Sequence, residues 1–288
     1  MFDINLTEDA GRAPRLTAPP KACDTHSHVM GSLEKYPQKK NLKPRFAPVE
    51  TYRAMLDRIG VERCVIVHSS YYGTDNRCTL DAIAALRQDR ARGTAVIAPG
   101  TTKDDIKRLH DGGMRGVRVS EASGDLTPDD APEIARLIAP YGWVLQVQRR
   151  VPGWIEGLAP TLKDLPAPLI FDHLGRTSAK EGADSAEFKA MLKLFEGGNV
   201  WIKLSGFYYT AQEAHPGYAD LRERIRILCE ARPDRLLWGL NWPFPDFPGP
   251  GEADSADFLD PLLDFVPDAA TRALILADNP GKLYGFEP

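Results

Sequence analysis

Eight short runs rich in β-branched and aromatic residues recur along the chain, at 22–29, 63–70, 93–100, 114–121, 143–149, 168–175, 200–207 and 235–242. Between them lie longer amphipathic segments, among them TLDAIAALRQDRAR, APEIARLIAPYG, AEFKAMLKLFEGG and LRERIRILCEARP, several closed by Gly or Pro as a helix stop requires. Strands that alternate with helices bury their apolar faces when the helices cover a parallel sheet. Eight such units in about 250 residues predict an α/β fold, a (β/α)8 TIM barrel. One domain is expected over residues 21–288, behind an N-terminal arm over residues 1–20. The alternative, an open doubly wound sheet, is weakened because no GxGxxG or Walker-type loop follows any of the runs.

Composition narrows the function classes. With 36 Lys+Arg against 40 Asp+Glu the net charge is −4, which argues against a nucleic-acid binder that must displace counterions from phosphates. No run approaches the roughly 18 apolar residues that span a bilayer. The first 20 residues carry acidic groups where a signal peptide needs an apolar stretch, so a cytoplasmic location and no membrane partner are expected. Cys23, Cys64, Cys78 and Cys229 form no CxxC pair and read as reduced thiols.

Alternation along each strand decides what faces the barrel interior. With Val117 and Val119 toward the helices, Gly116, Arg118 and Ser120 point inward; with Leu145 and Val147 outward, Gln146 and Gln148 point inward. The same parity places Trp201, Lys203 and Ser205 inside from the seventh run, and Leu237, Gly239 and Asn241 from the eighth. The first run is expected to set Asp24, His26 and His28 on one face. Charged and amide groups inside a barrel are costly unless paired or bound to ligand, so their gathering near strand C-terminal ends marks a site. More ordinary readings stand beside this one. Arg118 can pair with Glu121 or Asp24, and Lys203, Gln146 and Gln148 can form a polar plug. His68, His110 and His215 can be structural, and Tyr71, Tyr72, Tyr208 and Tyr209 can be loop packing.

Five segments carry a resemblance: DTHSH at 24–28, SSYYGTDN at 69–76, FDHLGR at 171–176, WGLNWP at 238–243 and DNPGKLYGF at 278–286. From about residue 20 to the end the chain resembles the amidohydrolase superfamily. More narrowly it is similar to the branch that holds 2-pyrone-4,6-dicarboxylate lactonase and D-galactarolactone isomerase. In the hydrolases of that superfamily the resemblance implies an aspartate at the end of strand eight, as metal ligand and as the base that activates water. Here the position reads Asn241. An amide accepts no proton at neutral pH and is a weaker ligand than a carboxylate. The fifth run offers Gln146 and Gln148 where a bridging ligand would stand, and the lactonase relatives are implied to work without metal. No catalytic metal and no cofactor are therefore expected.

These residues lead to an expected reaction. Histidine N–H groups of His26, His28 and His173 would polarise a lactone carbonyl, and the substrate's own hydroxyl would attack in place of water. His26 or His173 would relay the proton, with Asn241 in the site. Arg118 and Arg176 would clamp a free carboxylate, and Ser70, Gln146, Gln148, Lys203 and Asp75 would contact the substrate. The expected activity is conversion of D-galactaro-1,5-lactone to the 1,4-lactone in sugar-acid catabolism, with a monomer and an oligomer both left open by the sequence. Two alternatives remain open. One is a metal-independent lactonase in which Asp75 or Asp246 activates water; the other is a silent sugar-acid binding protein.

Overall fold

The structure, a computed structural model, describes residues 8–39, 45–121, 125–213, 215–247 and 253–287. Eight parallel strands follow one another around the sheet in chain order: β1 (Cys23–Ser27), β2 (Arg63–Val67), β3 (Ala91–Ala95), β4 (Met114–Ser120), β5 (Val144–Gln148), β6 (Leu169–Phe171), β7 (Val200–Leu204) and β8 (Leu236–Trp238). The ring closes beyond the end of β8, where Asn241 N donates to His26 O at 2.6 Å and His28 N to Trp242 O at 2.7 Å. The helices α1 (Val49–Arg58), α2 (Arg77–Leu86), α3 (Lys103–Asp111), α4 (Ala131–Ile138), α5 (Trp154–Leu162), α6 (Ala186–Gly197) and α7 (Arg222–Ala231) follow the first seven strands. After β8 short helices take the place of a single long one. This is the (β/α)8 barrel that the eight-fold alternation predicts. No described helix is long and apolar enough to cross a membrane.

Two apolar layers hold the barrel. The larger lies between strands and helices and includes Val117, Val119, Leu145, Val147, Ile202 and Leu204, the outward parity of β4, β5 and β7. The smaller fills the lower interior with Cys23, Val65, Val144, Ile170, Trp201 and Leu237, closed from below by Tyr284 and Phe286 near the C-terminus. Arg63 and Arg92 lie over the Phe286 ring at 5.2 and 4.9 Å. Above this layer the interior turns polar, and the site begins there.

Several elements differ from the sequence expectation, and three of the differences bear on the site. The α2 pattern predicts a helix to residue 92, but the helix ends at Leu86 because Arg87 takes φ +71° and turns the chain into β3. β3 therefore starts at Ala91 and stops at Ala95, since the next amide, Val96 N, is taken by Asn76 Oδ1 at 3.1 Å. The third difference lies in β1. Its register against β2 shifts between Asp24 and Ser27, so Asp24 does not share a face with His26. Asp24 instead points to α1, accepting from Tyr52 Oη at 2.7 Å and from Ser27 Oγ, and its other oxygen accepts from His26 N at 3.0 Å and Leu240 N at 2.9 Å. Burial holds the Asp24 carboxyl above its usual range, against these donors. It is the staple that joins β1, α1 and the chain beyond β8.

Candidate active site

The site residues stand where strands end and the backbone leaves extended geometry. After Asp172 four successive residues, His173, Leu174, Gly175 and Arg176, take φ of +53°, +55°, +67° and +54°. Beyond β8, Asn241, Phe244 and Asp246 do the same at +66°, +57° and +61°. Left-handed non-glycine residues cost about 1–3 kcal/mol each and persist where the surroundings over-determine them, commonly at functional sites. Here they turn the His173 and Asn241 side chains toward the barrel mouth.

A buried polar layer forms the floor. Asp172 Oδ2 accepts from Gln146 Nε2 at 2.8 Å and lies 3.3 Å from Arg118 Nε, while Lys203 Nζ stands 3.7 Å from Oδ1. Lys203 also donates to Thr25 O and Gln146 Oε1, both at 2.8 Å. Burial alone would raise the Asp172 carboxyl, but neighbouring His26, Lys203 and Arg118 outweigh it and hold the group well below the carboxylate range. Burial lowers Lys203 to about 8, against the pull of Asp172. Lys203 and Gln146 thus form the polar plug, and neither lines the cavity described below. Arg118 pairs with Asp172 rather than with Glu121 or Asp24. Asp172 was not singled out from the sequence, although the inward parity of Ile170 on β6 already points its side chain into the barrel.

His26 lies in the same layer. Its ring is fully buried, 4.5 Å from the His173 ring, and Nδ1 comes within 3.3 Å of Asp172 Oδ1 without hydrogen-bond alignment. Both His26 nitrogens, Asp172 Oδ1 and Asn241 Oδ1 lack hydrogen-bond partners. Burial lowers His26 to about 4 and holds His28 and His173 well below 6.5, so all three are neutral at pH 7. His28 Nδ1 meets Val67 O at 2.8 Å. A carbonyl only accepts, so Nδ1 carries the proton and Nε2 is a bare acceptor. This revises His28 from an N–H donor toward substrate to a proton acceptor.

A cavity of about 550 Å³ opens above this floor. Of the residues expected to meet substrate, His28, His173, Asn241, Arg118, Gln148 and Ser70 line it. Arg118 Nη2 donates to Gln148 Oε1 at 2.6 Å, and Asn241 Nδ2 to Tyr208 Oη at 2.6 Å. Asp75 is not among the lining residues: its carboxylate is held by Arg77 at 2.7 Å on the surface. Nor is Arg176, whose guanidinium lies 3.9 Å over the Tyr209 ring. The left-handed run at 173–176 carries it behind that tyrosine. Arg45 and Arg150 line the wall instead, with Asp246, Tyr71 and Tyr209. Arg45 lies between the first two strands, outside the strand-end positions where parity reasoning looks, and no local motif marks it.

His68, His110 and His215 serve the scaffold. His68 bonds Thr79 Oγ1 and Gly73 O, His110 accepts from Trp143 Nε1, and His215 bonds Tyr218 and Asp257.

His26, Asp172 and His173 each offer a ligand atom within 4.8 Å of the others, a spacing that suits a metal ion. The charge balance does not suit one. The single carboxylate of the trio is already compensated by Arg118 and Lys203, and the residue beyond β8 is the neutral Asn241. A divalent ion would leave net positive charge in a fully buried layer, which is costly.

Comparison with known proteins agrees with this architecture. The chain is 32% identical over 278 residues to a 4-sulfomuconolactone hydrolase of Hydrogenophaga intermedia, covering 94% of this chain and 91% of the relative. It is 34% identical over 295 residues to a 2-pyrone-4,6-dicarboxylate hydrolase of Comamonas testosteroni, covering 94% and 92%. Identity to a D-galactarolactone isomerase of Agrobacterium fabrum is 30% over 285 residues, covering 97% and 96%. Among solved structures, the apo form of Agrobacterium tumefaciens ATU3138 superposes with a TM-score of 0.86 at 28% identity, covering 96% of this chain and 99% of that one. A family model described as amidohydrolase matches residues 23–286. The protein belongs to the amidohydrolase family, in the company of enzymes that act on lactones.

Proposed function

We propose that the protein isomerises a sugar-diacid lactone, D-galactaro-1,5-lactone to the 1,4-lactone, by intramolecular acyl transfer and without a metal ion. The observation that carries this reading is the Asn241 amide at the cavity wall, with no carboxylate free to activate water among the described lining residues. The two carboxylates that do line the cavity face arginines: Glu121 meets Arg149 at 3.2 Å, and Asp246 stands between Arg45 and Arg150. The named relatives include both hydrolases and an isomerase, and with no free carboxylate to hold and activate a water His28 Nε2 is left to serve the substrate's own hydroxyl, which favours the second kind of chemistry.

In this reading the substrate carboxylate binds Arg118, which Gln148 and Asp172 hold in place. The unpartnered Asn241 Oδ1 accepts a hydrogen bond from the attacking 4-hydroxyl and orients it. His28 Nε2 takes the hydroxyl proton as the oxygen bonds to C1. His173 Nδ1 shares a hydrogen bond with Ser205 Oγ at 2.9 Å; with the serine donating, Nε2–H faces the cavity and stabilises the tetrahedral oxyanion. Collapse breaks the bond from C1 to the ring oxygen, which receives the proton back from His28. His26 acts from below, packed against His173 and beside Asp172.

The test is ¹³C NMR of galactaro-1,5-lactone incubated with chelator-treated protein. The 1,4-lactone is expected, formed faster than the uncatalysed rearrangement. Accumulation of the linear diacid would make the protein a hydrolase, and an unchanged lactone would overturn both the reaction and its independence from metal.

A further inference from the structure

Asp246 occupies an unusual place in the cavity wall. Its Oδ1 lies 3.6 Å from Arg45 Nη2 and its Oδ2 3.6 Å from Arg150 Nη2, so one carboxylate faces two guanidinium groups from different loops. The backbone is held in the left-handed region at φ +61° to put it there. The preceding carbonyl, Pro245 O, is gripped by Tyr208 Oη at 2.9 Å and Tyr209 Oη at 2.7 Å. Two tyrosines therefore fix the segment that presents the carboxylate.

Arg45 is equally prepared. It is only 3% exposed although it lines the cavity, and its Nε has no hydrogen-bond partner. Its backbone is clasped by one side chain, Arg45 N donating to Gln38 Oε1 at 3.0 Å and Gln38 Nε2 to Arg45 O at 2.6 Å. The guanidinium rests 4.8 Å from the centre of the Tyr71 ring. A buried arginine normally meets its anion at about 2.7–2.9 Å, often through two parallel bonds. At 3.6 Å, Asp246 leaves most of that capacity unused. Arg45 and Arg150 together have the chemistry of a carboxylate subsite, and the protein's own side chain is its occupant.

We propose that Asp246 is a specificity residue: by supplying the anion for Arg45 and Arg150 internally, it selects lactones with one anionic group over lactones with two. The inference rests on the reading of the cavity as a site for an anionic lactone. The substrate carboxylate then goes to Arg118, on the floor. A second carboxylate would reach the wall at Arg45 and Arg150, where it must displace Asp246 or lie against it, and like charges in contact discriminate strongly between ligands. Removing the Asp246 charge opens the subsite.

The test measures binding by calorimetry for two probes, dianionic 2-pyrone-4,6-dicarboxylate and monoanionic 2-pyrone-5-carboxylate, in wild type and Asp246→Asn. Asparagine tolerates the left-handed backbone, so the loop keeps its shape. Asp246→Asn is expected to bind the dianion about tenfold or more tightly than wild type while the monoanion changes less than about threefold, a selective charge effect. Adding Arg45→Met to Asp246→Asn should abolish the gain. A dianion no better bound by Asp246→Asn than by wild type, or equal tightening of both probes, would overturn the proposal. The binding ratio is read without turnover, so it stands or falls separately from the isomerase reading, which the NMR products decide.

Discussion

At the residue scale the chemistry turns on one atom pair, the amide of Asn241. Its nitrogen is spent on Tyr208, and its oxygen is buried without a partner beside the cavity. Restoring a carboxylate there should create a general base next to the same polarised carbonyl, because Asp is close in shape to Asn and also tolerates φ of +66°. Asn241→Asp is expected to release linear diacid from the lactone at a measurable rate that rises as the new carboxyl ionises. ¹³C NMR of the products checks it. If only the rearranged lactone forms above background, the missing strand-eight carboxylate is not what sets the outcome.

At the element scale the decisive contact is between β1 and the chain beyond β8. A Cβ on Gly239 would lie 2.7 Å from His26 Cβ and 2.8 Å from His26 N, closer than packed atoms sit. His26 N is also fixed by Asp24 Oδ1, so β1 has no easy way to retreat. Gly239→Ala is therefore expected to cost about 1–3 kcal/mol by overpacking and to lower turnover by displacing His26 beneath His173. Urea titration and steady-state kinetics on the same preparation check both effects. Wild-type stability with wild-type turnover would show that β1 yields freely. The parity of β4, β5 and β7 was legible from alternation alone, because each of these strands stays regular over its inward residues. That of β1 was not: a register shift is a property of two strands together, and Asp24 turns outward because Tyr52 and Leu240, distant in sequence, offer it donors.

At the scale of the whole molecule, burying neutral histidines ties stability to pH. Burial lowers His26 and His68 to about 4 and holds His28 and His173 well below 6.5. Below 6.5 the unfolded chain takes up protons at these positions and the folded protein does not, so stability falls as pH falls. The loss begins near the unfolded value of 6.5 and, for His26 and His68, continues down to about 4. Each neutral histidine contributes up to about 1.4 kcal/mol per pH unit in that window. The urea midpoint is therefore expected to be level between about pH 7 and 8 and to drop steeply between pH 6.5 and 4.5. A flat midpoint across that range would mean that these histidines protonate in the folded state.

The eight-fold alternation was sufficient for the barrel and the inward parity for the positions of Arg118, Gln148 and Asn241, while His173 and the loss of the strand-eight carboxylate were legible only through the resemblance of the motifs to the amidohydrolase superfamily. These are local properties: side-chain period and residue identity do not depend on the rest of the fold. The tertiary structure alone decided which polar groups meet. It put Asp172 between Arg118, Gln146 and Lys203, withdrew Gln146 and Lys203 to the floor, and fixed the proton of His28 through the Val67 carbonyl. It also replaced Arg176 and Asp75 at the cavity wall with Arg45, Arg150 and Asp246. Left-handed backbone at 173–176 and beyond β8 aims those side chains. That geometry is imposed by packing from elements far apart in the chain, so no local pattern in the sequence announces it.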